Sequence, residues 1–117
     1  MLCRRGSVWS VFRTANRNIF MKKKVYLSLP ITGRPLEEAR VYARVVKKEL
    51  QSQGYEVVTP FEVCPNSEEP YSRLMGRCIE VLLECDEVYF CLGWQRSKGC
   101  MTEFEIARIY GKEIFIG

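Results

Sequence analysis

Histidine is missing from all 117 residues. Its absence excludes every scheme that needs an imidazole, from Ser-His and Cys-His nucleophiles to the mixed His and Cys sets of zinc sites. Six cysteines are present, but no pair stands in C-x-x-C spacing. Most of them fall in apolar periodic stretches, where a free cysteine behaves as a small hydrophobe. Reduced thiols in a cytoplasmic protein are therefore expected, with no metal and no cofactor. Long apolar runs are lacking too. Nothing approaches the roughly 20 residues that span a bilayer, so no membrane partner is expected.

Acid is absent from one end of the chain only. Residues 1–24 hold seven Lys or Arg and no Asp or Glu, which leaves 11 basic and 14 acidic side chains in the remaining 93. The formal charge of +4 is thus a property of the arm. The body is mildly acidic, and no nucleic-acid partner is expected. Residues 1–22 read as a basic, loosely ordered N-terminal extension, and residues 23–117 as one domain. The arm has no apolar core of a secretory signal, and it lacks the clear amphipathic face of a transit peptide.

What is present alternates between two periods. Val25 to Leu29 is an apolar strand, and Pro30 to Pro35 its turn. Leu36, Ala39, Ala43, Val46 and Leu50 then recur at helical steps, with Gly54 beyond the end. Tyr55 to Thr59 reads as a second strand and Phe61 to Pro70 as a polar loop. Tyr71, Met75, Cys78, Leu82 and Cys85 mark one face of a second helix. Glu87 to Leu92 is a third strand, Gly93 to Gly99 a polar turn, the stretch up to Gly111 a helix, and Glu113 to Ile116 a last strand.

This order predicts an α/β, Rossmann-like or flavodoxin-like three-layer sandwich on a parallel sheet of four or five strands. In such sheets ligands bind at the carboxyl ends of strands, where the strand order reverses. The loops after the first and third strands are therefore expected to face each other. Between them they carry Thr32, Gly33, Ser97 and Gly99, with Arg34, Arg96 and Lys98 as cations. Hydroxyls, flexible backbone and positive charge suit a phosphate or a sugar. A plainer account has the glycines permit the turn while Ser97 caps a helix.

Glu103 is the sharpest residue. Placed in the first helical turn it would be explained by the helix dipole, with Thr102 and Glu105 free to form a capping box. A carboxylate beside a sugar pocket is also what nucleophilic glycosyl transfer requires. Such a reaction wants a second acid, for which Asp86 and Glu84 stand nearest in sequence, although Asp86 opens a strand at its amino end. Tyr26, Tyr71, Tyr89 and Trp94 could stack on a base, Trp94 in the loop before the others.

Three stretches together resemble the DUF4406 family: Tyr26-Leu27-Ser28-Leu29-Pro30-Ile31-Thr32-Gly33, Cys85-Asp86, and Gly93-Trp94-x-x-Ser97-x-Gly99-x-x-x-Glu103 with Ala107. That family is similar to the nucleoside 2-deoxyribosyltransferases and the deoxynucleoside 5′-monophosphate N-glycosidases. The resemblance implies a homo-oligomer, dimer or tetramer, that acts on a small nucleoside or nucleotide. It places the nucleophile at Glu103 and a contact to the 5′ end at Ser97. Leu29, Pro30, Thr32 and Gly33 then line the sugar and phosphate side, with Tyr26, Trp94 and Gly99 completing the substrate set. The enzymes carry an aspartate that protonates the leaving base eight residues before Asp86, where this chain has Cys78. A thiol, with an unperturbed pKa of about 8.5, is a poor substitute. The sequence also stops at Gly117, short of the C-terminal extension through which the transferases lend a carboxylate to a neighbouring subunit. Two functions are thus in view: N-glycosidic cleavage or 2-deoxyribosyl transfer, and non-catalytic nucleotide binding or sensing.

Overall fold

Four short strands and three long helices follow the expected alternation in the computed structural model, which describes residues 22–65 and 68–117. The arm expected over residues 1–22 lies outside the described residues except for Lys22. In chain order the elements are β1 (Lys24–Ser28), α1 (Leu36–Ser52), β2 (Glu56–Val58), α2 (Pro60–Val63), α3 (Tyr71–Glu84), β3 (Glu87–Phe90), α4 (Lys98–Ile109) and β4 (Glu113–Ile116), with one 3-10 turn at Trp94–Arg96.

The sheet is all-parallel in the order β2-β1-β3-β4. Tyr26 sits opposite Val58 on one side and Val88 on the other, which fixes β1 in the centre beside β3. Right-handed crossovers then put α1 on one face, and α3 with α4 on the other. Period-two alternation sorts the strand residues accordingly. Val25, Leu27, Val57 and Cys91 pack against Ala39, Ala43 and Leu50 of α1. Tyr26, Val88 and Phe90 pack against Cys78, Leu82 and Ala107 of α3 and α4. A fully buried side chain such as Phe90 or Leu82 contributes about 1.5–3 kcal/mol by leaving water, so each layer is held by several such terms.

Two expectations need correction. The polar loop over Phe61 to Pro70 contains a helical turn, α2. Its sequence Thr59-Pro60-Phe61-Glu62 has proline at the first helical position, and the Thr59 N–H donates to Glu62 Oε1 at 2.9 Å. Four residues are too few to show a period. The last long helix also begins earlier than the apolar pattern suggests. Ser97 is its N-cap, with Oγ accepting the Cys100 N–H at 3.2 Å. The capping box considered at Thr102 and Glu105 is therefore absent: Thr102 Oγ1 donates to Lys98 O, and Glu105 pairs with Arg108.

Candidate functional site

The loops after β1 and β3 meet at the reversal of strand order, as the topology requires. The Cys91 N–H donates to Ser28 O at 3.0 Å, continuing the ladder one residue past the end of β3. Gly93 turns the chain out of β3 at φ +90°, and a Cβ there would stand 3.7 Å from Pro30 Cγ. Glycine at this point supplies the left-handed backbone that lets the two loops lie side by side.

Glu103 lies on the second turn of α4, since the helix starts at Lys98. The dipole acts mainly within the first turn, so it no longer accounts for a carboxylate here. Tertiary contacts do. Tyr26 and Ser28, two residues apart on β1, point to the same face of the sheet. Tyr26 Oη donates to Glu103 Oε2 at 2.9 Å, and Ser28 Oγ donates to Oε1 at 2.6 Å. Both carboxylate oxygens are held, and Glu103 is only 5% exposed. Burial raises its pKa, while the Ser28 and Tyr26 hydrogen bonds pull it back down. The Tyr26 hydroxyl is pushed well above its ordinary value by its own burial and then by the Glu103 charge, so it stays a donor.

Cys78 reaches the same cluster. Its thiol is a hydrogen-bonding neighbour of Tyr26, and burial pushes it up to about 11, with the Glu103 and Cys64 charges adding to the rise. It is therefore a neutral thiol at physiological pH. Cys100 neighbours Ser28 and Ser97, and its pKa too is raised by burial. A carboxylate, two hydroxyls and two neutral thiols thus share one buried nest.

The other residues singled out from the sequence are spread around this nest. Ser97 caps α4, the plainer of its two expected roles. A Cβ on Gly99 would meet Tyr71 Oη at 3.1 Å and Met75 Sδ at 3.6 Å, so glycine leaves room between α4 and α3. Leu29 is buried in the α1 layer, and Pro30 abuts Gly93. Thr32 and Gly33 are exposed at the tip of the first loop, away from Glu103's contacts. Arg34 folds back to Pro30 O and Glu38. Trp94 stacks on Phe104 at 4.7 Å and leans on Phe90 at 5.3 Å, with Nε1 buried and without a partner among the described residues. Tyr26 is fully buried and meets Glu103 rather than offering a ring face. Asp86 accepts the Lys24 N–H at 3.0 Å at the amino end of the sheet, remote from Glu103. Sequence reasoning missed Ser28 as a site residue. Its signal was there: a lone hydroxyl in an apolar strand, two residues after Tyr26.

Among the described residues no group of three or more His, Cys, Asp or Glu is placed to hold a metal ion. No helix among them is long and apolar enough to cross a membrane. A groove of about 570 Å³ runs along the outside of α1 between Arg40, Arg44 and Phe61, but Glu103 does not line it.

Fold and site together define a parallel α/β protein with a buried glutamate at the switch point of its sheet. The model of the family described as Domain of unknown function (DUF4406) matches residues 23–116, and the chain belongs to that family. No curated protein matches it.

Proposed function

We propose that the protein handles a nucleoside or its 5′-monophosphate, cleaving the N-glycosidic bond or transferring the 2-deoxyribosyl group through Glu103. One observation carries the reading: a carboxylate 5% exposed, at the ligand-binding end of the sheet, with each oxygen fixed by a hydroxyl. Neutral donors orient a carboxylate without quenching its charge, which suits attack on an anomeric carbon. In that step a Glu103 oxygen bonds to C1′. The C1′–N pair leaves with the base, which takes up a proton. Water or an acceptor base then displaces Glu103. The N-terminus of α4, capped by Ser97, is the part of this end of the sheet that would take a 5′-phosphate, since helix N-termini favour such anions.

A second reading rests on Cys78. Held neutral with a pKa near 11, its thiol is a weak proton donor for a departing base. A non-catalytic nucleotide-binding or sensing module accommodates that residue without difficulty. The reading includes self-association into a dimer or tetramer and a cytoplasmic setting. Sedimentation that gives a monomer at micromolar concentration ends the oligomer part.

The experiment is a thermal-shift screen with deoxynucleoside monophosphates, followed by chromatography for free base. Release of base that Glu103→Gln abolishes supports catalysis. A melting shift without base release, unchanged by Cys78→Asp, leaves the binding module.

A further inference from the structure

α1 is the one long helix described on its face of the sheet. Ala39, Ala43 and Leu50 turn inward, which sets the stripe through Glu37, Val41, Val45 and Lys48 on the outer side. Two features of that stripe are left over from folding. Val41 is 45% exposed and Val45 59%. β-Branched residues are weak helix formers, so helix propensity does not account for them. The charges are also sorted, with Glu37 and Glu38 at the start and Arg44, Lys47 and Lys48 towards the end. The helix dipole favours that order of charges but leaves the valines between them unexplained.

The two valines, one turn apart, form a ridge with a groove on each flank. Arg40, Arg44, Lys48 and Phe61 line one groove, of about 570 Å³. Arg34, Glu37, Glu38 and Tyr42 line the other, of about 440 Å³. A ridge between grooves is the surface on which a second helix packs. A uniformly acidic partner would meet Glu37 and Glu38 along this stripe, and a basic one would meet Arg44 and Lys48. A second α1 running antiparallel meets neither conflict. Glu37 stands four residues before Val41 and Lys48 three after Val45, so reversal brings the Lys48 of one helix to the Glu37 of the other. Glu37 is held within its own helix by Arg44 at 3.7 Å, with both side chains at least two-thirds exposed, so that contact yields readily to a partner.

We propose that the outer face of α1 binds a second copy of this chain, the two helices crossing antiparallel about a two-fold axis beside the valines. Val41 and Val45 of each copy enter a groove of the other, and Glu37 pairs with Lys48 at both ends. Such a contact uses the same patch twice and closes on itself. It gives a face to the self-association included above, on the opposite side of the sheet from Glu103, and rests on no part of the nucleotide chemistry. One helix pair roughly 25 Å long is a small interface, so the dimer dissociates in the micromolar range.

The test is sedimentation equilibrium of the full chain, of Glu37→Lys, of Lys48→Glu, and of the two variants mixed one to one. Both positions are exposed, and circular dichroism verifies that each variant is folded. Wild type dimerises. Each variant alone dimerises more weakly by roughly tenfold or more, since like charges then face each other at both ends. The mixture regains the wild-type affinity, because every end contact is again Lys against Glu. A wild-type dimer that neither variant weakens puts self-association on another face and overturns the proposal, while the oligomer named above survives. A wild-type monomer up to the millimolar range, or a mixture no tighter than its components, overturns it as well. Base release reads the nucleotide chemistry independently of all three results.

Discussion

Among the described residues Glu103 and Glu87 are the two buried glutamates, Glu103 reaching from α4 to the carboxyl end of β1 and Glu87 opening β3 at the amino end, and they are kept in opposite ways. Burial is the first cause of a raised pKa in both. Glu103 is held by two hydroxyls that carry no charge. Glu87 is held by an ammonium and crowded by a second carboxylate. Hydroxyls fix the orientation of the carboxylate without bringing a formal charge beside it. A lysine neutralises the charge and ties the strand ends together. The same residue type is thereby held by neutral donors at one end of the sheet and by an ion pair at the other.

The contrast breaks most sharply on Glu103→Gln. The amide retains the shape and accepts one hydroxyl, but it cannot form a glycosyl ester, so base release falls by about 10³-fold or more with folding intact. Single-turnover chromatography measures it. A loss below tenfold removes Glu103 from the chemistry.

Cys78→Asp comes next. Placed against Tyr26, an acid restores a proton donor for the leaving base, and base release rises by about 10²-fold, within the usual range for general acids. The rate-pH profile gains an acidic limb in the same variant. A flat rate, with nucleotide still bound, favours the sensing module.

At the other end, Lys23→Met strips Glu87 of its ammonium. Breaking a fully buried pair costs about 3–5 kcal/mol, and Lys23 is one-fifth exposed, so about 2 kcal/mol is expected in urea unfolding. The loss shrinks in acid, where Glu87 takes up a proton instead.

The smallest effect is that of Ser28→Ala, which removes one of Glu103's two donors at a cost of about 1–2 kcal/mol. With the Ser28 bond gone, burial is opposed by Tyr26 alone, and the Glu103 pKa moves further up in a carboxyl-carbon NMR titration. The linkage has a definite sign. A carboxyl raised by folding contributes stability that is complete below its unfolded pKa of about 4.3 and is lost as pH rises through the folded value. Glu103→Gln cancels that loss, so the variant gains on wild type between acid and neutral pH.

Most of the architecture was legible because each element carries its own period. Alternating strands, the stripe from Leu36 to Leu50 and the glycine-flanked loop after β3 each announced themselves locally. The four-residue α2 escaped because it completes barely one turn, and the start of α4 was set by the Ser97 cap rather than by its apolar face. Trp94 shows the limit for aromatic residues. Whether a ring in a loop meets ligand or core depends on what stands opposite, and here that is Phe104 and Phe90.

Composition and spacing by themselves determined the α/β alternation and the exclusion of histidine chemistry. Those follow from residue identity and from contacts a few positions apart. Only the tertiary structure decided that Tyr26 and Ser28 hold the two oxygens of Glu103, across more than 70 residues of chain. It alone set Glu87 beside Glu113 and Lys23. Strand order and register bring these groups together, and burial then fixes what each can do. Neither is written in any local window of the chain, because both arise from which surfaces the whole fold removes from water.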